Sequence, residues 1–200
     1  MIWIMLAAER NDLSAEWLIT EAFMVLLSTV PFDKITVRAI VKKAGISRST
    51  FYVHYQDKFD LLSRMTDQIT NELLDLYGTE TSEEAIFNSN NIFDEQRALS
   101  NTVAIFDHLR KYEHFYRERY LHPEFVFQLS ERLISKLKWA YLDETHASFA
   151  AYGTVGYIGR WLTSGLKESS SEIAKKLTSV AELSLPQVRL KMQNELSISG

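Results

Sequence analysis

The 200-residue chain has no cysteine, only three prolines and only seven glycines. Without cysteine, a disulfide framework, a thiolate metal site and a cysteine nucleophile are all excluded. So few prolines and glycines argue against an all-β fold, which needs many tight turns. There is no apolar run of about 18 residues, the length at which a membrane-spanning helix is suspected, so nothing is expected to cross a bilayer. The apolar opening "MIWIML" is too short to span. It has no basic leader, and Glu9, Arg10 and Asp12 follow at once, which argues against a signal peptide. A cytoplasmic protein is the expectation. Also missing are a nucleophile elbow, a phosphate loop, a dinucleotide fingerprint and an HExxH pair. The sequence therefore assigns no catalytic residue, no cofactor and no enzymatic role. His114, Glu118 and His122 have helical spacing, but Pro123 breaks the geometry after His122, so no metal site is assigned either.

What remains is apolar and helical. Apolar residues make up 46% of the chain and aromatics 12%, enough for a sizeable core. Net charge is −4, but it is unevenly spread. Between Lys34 and Lys58 lie Lys34, Arg38, Lys42, Lys43, Arg48 and Lys58 against the single acid Asp57, so this stretch carries +5 and the remainder −9. A basic island on an acidic body is the electrostatic footprint of a nucleic-acid module attached to something else.

The periodicity predicts an amphipathic helix over 15–30, with Ile19, Ala22, Phe23, Leu26, Leu27 and Val30 on one face and Pro31 as the stop. Thr36 is placed to cap a second helix, in which Val37, Ile40, Val41 and Ala44 share a face and Arg38, Lys42 and Lys43 take the other. Gly45 suits a left-handed end to that helix. Ser47 can cap a very short third helix whose inner face is Phe51 and Tyr55. Arg48, Ser49, Thr50, Tyr52 and His54 then point away from the core. A fourth helix opens at "QDKFDLL", with Phe59, Leu62, Met65, Ile69, Leu73 and Leu76 on one stripe. Two short helices joined at a glycine and buttressed by a third make a helix-turn-helix, whose second helix displays donors and acceptors because it meets base edges and phosphates.

The polar stretch 78–94 reads as a loop. Helical patterns follow at about 95–111, 113–121, 123–142, 144–166 and 171–183. Pro123 suits a first helical turn, and "SSSE" at Ser169–Glu172 has the form of a capping box. Gly153, Gly156 and Gly159 lie inside one predicted helix, where each costs about 1 kcal/mol relative to Ala. The expected compensation is close approach of another helix, within the bundle or across a dimer; the alternative is room for a ligand. The second part is also rich in aromatics, most of them expected in the core, with some lining a pocket between helices.

The stretch "FDKITVRAIVKKAGISRSTFYVHYQDKFDLL" resembles the DNA-binding domain of TetR/AcrR-type transcriptional regulators. The likeness lies in the Thr-Val start of the second helix, the Ala-Gly-Ile-Ser turn, the Thr-Phe-Tyr run, the His-Tyr pair and the Asp-Lys that opens the fourth helix. "AYGTVGYIGRWLTSGLKESSSEIAKKL" is similar to the last two helices of one branch of that family. The resemblance implies an all-α protein with an N-terminal three-helix helix-turn-helix DNA-binding domain, residues 1–60, and a C-terminal helical bundle for ligand binding and dimerisation, residues 61–200. It implies a homodimer that binds a double-stranded operator and releases it when a small-molecule effector binds. Most such proteins are repressors; a minority activate or act as co-regulators.

Carried over position by position, the resemblance puts Thr36 on phosphate and Arg38 near the groove edge. Ser47, Arg48, Ser49 and Thr50 come to the major groove, Tyr52 and His54 to phosphates or bases, and Lys58 to phosphate. Met65, Ile69, Phe106, Tyr112, Trp139 and Tyr152 become candidates for the effector pocket. Gly153, Gly156, Gly159, Ile173 and Leu177 become candidates for the dimer interface. The arm before the first helix departs from the family pattern: residues 1–33 hold one base, Arg10, against Glu9, Asp12, Glu16, Glu21 and Asp33. That acidic arm motivates an alternative, a co-regulator or activator that works mainly through protein–protein contact.

Overall fold

The computed structural model describes residues 2–77, 95–141 and 143–184, with side chains over 15–77, 99–138 and 143–180. Among the described residues all regular structure is helical, and no helix is long and apolar enough to cross a membrane. The chain divides after Thr70 into two compact units.

The first unit opens with α1 (Ile2–Leu27). It begins earlier than the apolar stripe suggests, because "MLAAER" consists of strong helix formers. It also ends three residues before the expected stop. The Ser28 hydroxyl donates to the Val25 carbonyl (2.8 Å) and the Thr29 hydroxyl to that of Leu26 (3.3 Å), so side chains take over the last turn before Pro31. A short 3₁₀ turn, Phe32–Lys34, then drives the Phe32 ring inward, edge-on to Phe23 and Phe59.

Helix α2 (Val37–Ala44) starts where Thr36 Oγ1 accepts the Ala39 N–H (3.2 Å). Ile40 and Val41 are buried, and Arg38, Lys42 and Lys43 face outward. Gly45 ends it at φ 69°, a conformation in which a Cβ is disfavoured. Helix α3 (Arg48–His54) is seven residues long. Phe51 and Tyr55 are its buried anchors, and α2 and α3 both pack on α1. Helix α4 (Lys58–Asp75) is capped by Asp57, whose Oδ1 accepts the N–H groups of Phe59 (2.7 Å) and Asp60 (2.8 Å). Leu61, Leu62, Met65 and Ile69 form its buried stripe. Phe59, expected on that stripe, is instead 60% exposed, since the first turn of α4 touches Phe32 only by an edge.

The second unit contains the last turns of α4 and five further helices: α5 (Glu95–Lys111), α6 (Glu113–Arg119), α7 (Pro123–Tyr141), α8 (Glu144–Thr163) and α9 (Ser170–Ser184). Helix α7 pairs with α8, α5 with α9, and α6 bridges to α8. Ala147 and Ala151, fully buried at i and i+4, let α7 and α8 approach closely. The tie from α4 is polar: Arg132 bonds Asn71, and Lys136 lies 3.5 Å from Asp75. Asp143 caps α8 by accepting the Thr145 N–H (2.8 Å). At the α8–α9 turn, Gly165 and Leu166 both have positive φ, 87° and 53°. The Arg110 guanidinium donates to the Leu166 and Glu168 carbonyls there and stacks over Trp161. The capping box forms as the sequence suggests: Ser169 Oγ accepts the Glu172 N–H, and the Glu172 carboxylate accepts the Ser169 N–H (2.8 Å).

Candidate nucleic-acid interface

The interface begins with what α3 must bury. Phe51 is sealed, its ring edge-on to Tyr52 and tilted against Tyr55. The Tyr55 hydroxyl donates to Glu16 Oε1 on α1 (3.2 Å). Burial first, and then the Glu16 charge and hydrogen bond, push that hydroxyl far above the usual tyrosine value. Arg64 lies over the Tyr55 ring and pairs with Asp60 (2.9 Å). One face of α3 is thus locked, and the orientation of the other face is set.

Arg48, Ser49 and Tyr52 are exposed on that other face, with Thr50 and His54 half-buried at its edge. Ser47 is the local organiser. Its Oγ accepts the Thr50 N–H (3.0 Å) and lies 2.7 Å from Ser49 Oγ and 2.8 Å from Thr50 Oγ1. Three hydroxyls therefore share one bonded cluster at the start of α3. Ser47 has its proton and both lone pairs committed there, whereas Ser49 and Thr50 each keep a donor or acceptor for another partner, since a hydroxyl both donates and accepts. Thr36 and Arg38 are exposed on the first turns of α2. The arrangement offers a guanidinium, hydroxyls, a phenol and an imidazole on one short helix, the groups that meet base edges and phosphates.

Lys58 is placed differently from the expectation. Its ammonium donates to the carbonyls of Phe32 (3.0 Å), Asp33 (3.2 Å) and Ile35 (2.9 Å), and lies 4.5 Å from the Phe32 ring centre. An ammonium has three donors, and all three are committed to the turn before α2. The position is a structural tie as well as a charge. Sequence reasoning also passed over Val53, which is 73% exposed on α3, more than Tyr52 at 51%. The signal was available: with Phe51 and Tyr55 inward, helical geometry turns Val53 outward.

The other candidate residues divide by unit. Met65 and Ile69 are buried on α4 in the first. In the second, Phe106 is fully buried and edge-on to Trp161 (5.1 Å), which makes it a core residue. Tyr112 donates to Glu72 (3.2 Å), next to a His108–Tyr116 hydrogen bond of 3.1 Å. Tyr152 is exposed and donates to Glu131 (3.0 Å). The side chain of Trp139 lies outside the described residues. Among the dimer candidates, Ile173 is buried within its own unit and Leu177 half-buried. A Cβ on Gly159 would stand 3.1 Å from the Tyr120 ring, so that glycine serves packing inside the bundle. A Cβ on Gly153 or Gly156 would meet nothing within 4 Å. Among the described residues no group of three or more His, Asp or Glu is placed to hold a metal.

Comparison with known proteins covers both units. Residues 19–65 match the profile described as "Bacterial regulatory proteins, tetR family", and residues 96–183 match "Transcriptional regulator C-terminal region". Over 60 residues the chain is 34% identical to the uncharacterized HTH-type transcriptional regulator YxbF of Bacillus subtilis (strain 168), a match spanning 30% of this chain and 16% of that protein. Among solved structures, the dihydroxyacetone kinase operon activator DhaS is similar at a TM-score of 0.61 and 18% identity, over 88% of this chain and 97% of its own. A TetR-like regulator from Rhodococcus sp. RHA1 gives 0.61 and 20%, over 86% and 95%. A transcriptional regulator from Aquifex aeolicus VF5 gives 0.60 and 14%, over 84% and 98%. At these identities the structures speak for the fold, while the profiles cover the reading helices and the bundle in the same chain order. The chain belongs to the TetR family of bacterial transcriptional regulators, DNA-binding proteins that are not enzymes.

Proposed function

We propose that the protein is a ligand-responsive regulator that binds a pseudo-palindromic operator as a homodimer, represses from it, and works in the cytoplasm. The observation that carries the reading is the outward face of α3, where Arg48, Ser49 and Tyr52 are exposed beside Thr50 and His54 while Phe51 and Tyr55 hold the helix from behind. Arg48 suits a guanine edge, Thr50 a thymine methyl or a base acceptor, and Tyr52, Thr36 and Arg38 the backbone. A homodimer would set two such helices about 34–36 Å apart, one helical turn of DNA, or a multiple of that distance.

Helix α8 supports the dimer. Phe149 is 79% exposed and Tyr152 is exposed one turn on, beside Gly153 and Gly156, whose Cβ positions are open. An aromatic ridge next to a glycine hollow suits a second copy of the same helix. For an effector, Tyr112 with Glu72 is the polar handle of the expected set. Helix α4 is continuous from Lys58 to Asp75, so a ligand that shifts its last turns shifts its first. Effector and operator affinities must then be reciprocally coupled.

The test is selection of bound duplexes from a random pool by the full-length protein at two salt concentrations. The expected result is an enriched pseudo-palindrome, bound orders of magnitude more weakly at the higher salt if about 6–10 phosphates are held. A folded dimer that enriches nothing would overturn operator binding and favour the protein-contact reading. Repression is checked separately: deleting the gene should raise transcription from a promoter carrying the enriched sequence.

A further inference from the structure

The outward face of α3 has an apolar centre. Phe51 and Tyr55 fix the inward direction of the helix, since both are buried. Successive residues turn by about 100° around a helix, so the direction opposite this pair falls between Ser49 and Val53. Arg48 and Tyr52 flank that line on one side, Thr50 and His54 on the other. Among the described side chains of the first unit, Val53, at 73%, is the most exposed large apolar one. Ser49, one turn before it, is short and has its hydroxyl tied to Ser47 Oγ at 2.7 Å.

Isolated apolar residues on a surface are ordinary. The setting of this one is not. It stands in the middle of a guanidinium, hydroxyls, a phenol and an imidazole, all of which have hydrogen-bonding work to do against a duplex. An isopropyl group can neither donate nor accept. The only apolar group that base edges present in the major groove is the 5-methyl of thymine. Two methyl-bearing groups that meet there remove apolar surface from water without any charge, so the contact adds sequence preference and leaves salt dependence alone.

We propose that Val53 is a specificity-determining residue that reads one thymine in each half-site through its 5-methyl group. The inference rests on α3 being the helix that enters the major groove. Val53 contributes discrimination, and Arg48 and the phosphate contacts contribute most of the affinity.

The experiment uses the full-length protein and the duplex it enriches. Each thymine of that duplex is replaced in turn by deoxyuridine, which deletes the methyl and nothing else. At one thymine per half-site the replacement should weaken binding of the unaltered protein by about fourfold, the value of burying one methyl-sized group. Val53→Ala alters both protomers, so it should bind the thymine duplex about as weakly as the parent binds a duplex with both such thymines replaced, and it should show no further loss when they become deoxyuridine. Val53→Thr, which keeps one methyl, should retain part of the discrimination. Both variants should melt like the parent, since the side chain is mostly solvent-exposed. The proposal is overturned if no single deoxyuridine weakens binding. It is also overturned if Val53→Ala and the methyl deletion add independently, which would place Val53 against sugar carbons. Failure of the underlying reading looks different: no duplex is enriched, or Arg48→Ala binds the enriched duplex as well as the parent does.

Discussion

Phe51 and Phe149 are the same residue on exposed helices of the two units, yet Phe51 is sealed and Phe149 is 79% exposed. Their surroundings are inverted to match. On α3 the Ser49 and Thr50 hydroxyls, the Arg48 guanidinium and the His54 imidazole lie outside or at the rim, while the rings of Phe23, Phe32 and Phe51 lie within the first unit. In the second, the Tyr116 phenol lies inside and that of Tyr120 is half-buried. Tyr116 is fully buried against His108, and Tyr120 donates to the Val155 carbonyl (3.3 Å). Burial above all pushes both hydroxyls well above the ordinary tyrosine value, so both phenols stay neutral there. The exterior of α8 offers Phe149 and two open glycines instead. On the proposed reading, the face with its polar groups out meets the polyanion, and the face with its rings out meets another protein surface.

The largest effect should come from the two phenylalanines themselves. Phe51→Ala should cost about 3–5 kcal/mol of stability by urea unfolding, as expected for a buried ring, while Phe149→Ala in the dilute protein should stay within about 0.5 kcal/mol. Similar losses at both sites would erase the contrast. Next is Lys58→Met, which strands three carbonyls and should cost about 1.5–3 kcal/mol, the worth of charge-assisted hydrogen bonds. If Lys58 is chiefly a tie, the slope of operator affinity against salt should hardly change. A slope lower by about one would return it to phosphate.

Arg48→Ala should weaken binding of the enriched duplex by about 1–3 kcal/mol with relaxed preference at one base, read by titration on matched and mismatched duplexes. Gly45→Ala should cost about 1 kcal/mol, because the φ of 69° is strained for a Cβ even though nothing stands within 4 Å of it. The smallest effect is acid-dependent. The Ser169 N–H and hydroxyl, with Lys176 and Lys175 nearby, hold the Glu172 carboxyl below the ordinary glutamate value. A depressed native pKa contributes stability above the unfolded-state pKa that is lost as pH falls through the native one. Glu172→Gln should therefore flatten the acid limb of the urea midpoint against pH and leave the neutral limb parallel to the parent.

Legibility follows the range of the interactions. The caps at Thr36, Ser47 and Ser169, the glycine at 45 and the inward pair Phe51–Tyr55 can all be read from the sequence, because each depends on residues within four positions. The turn at Pro31 is legible, but the hydroxyls of Ser28 and Thr29 end α1 sooner by bonding back to its carbonyls. Lys58 could not be read this way. Its partners lie 23 to 26 residues away, on a turn whose carbonyls converge only once α1 and α2 are packed. The glycines of α8 look alike in sequence and separate only in space, Gly159 against Tyr120 and the other two toward open ground. Ile173 is expected at the dimer interface together with Leu177 on the same helix, yet α9 turns it inward toward its own unit. Among the aromatic effector candidates, Phe106 shows why a ring alone does not mark a pocket: a ring in a bundle is first of all core.

The Lys58 tie also bears on which residues the site can accept. The ammonium gathers the carbonyls of Phe32, Asp33 and Ile35 from one side of a tight turn. A tetrahedral head with three diverging N–H groups suits that task. Arginine carries the same charge, but its planar fork directs its donors into one sheet and favours carboxylates and phosphates over a ring of carbonyls. At Arg38 or Lys42, exposed on α2, a basic residue of either kind supplies the same field to an approaching duplex. At position 58 the two are different parts. Where this domain is redesigned or its drift among relatives is followed, charge alone describes the surface of α2, whereas the hinge of the turn is described by the shape of a single amine.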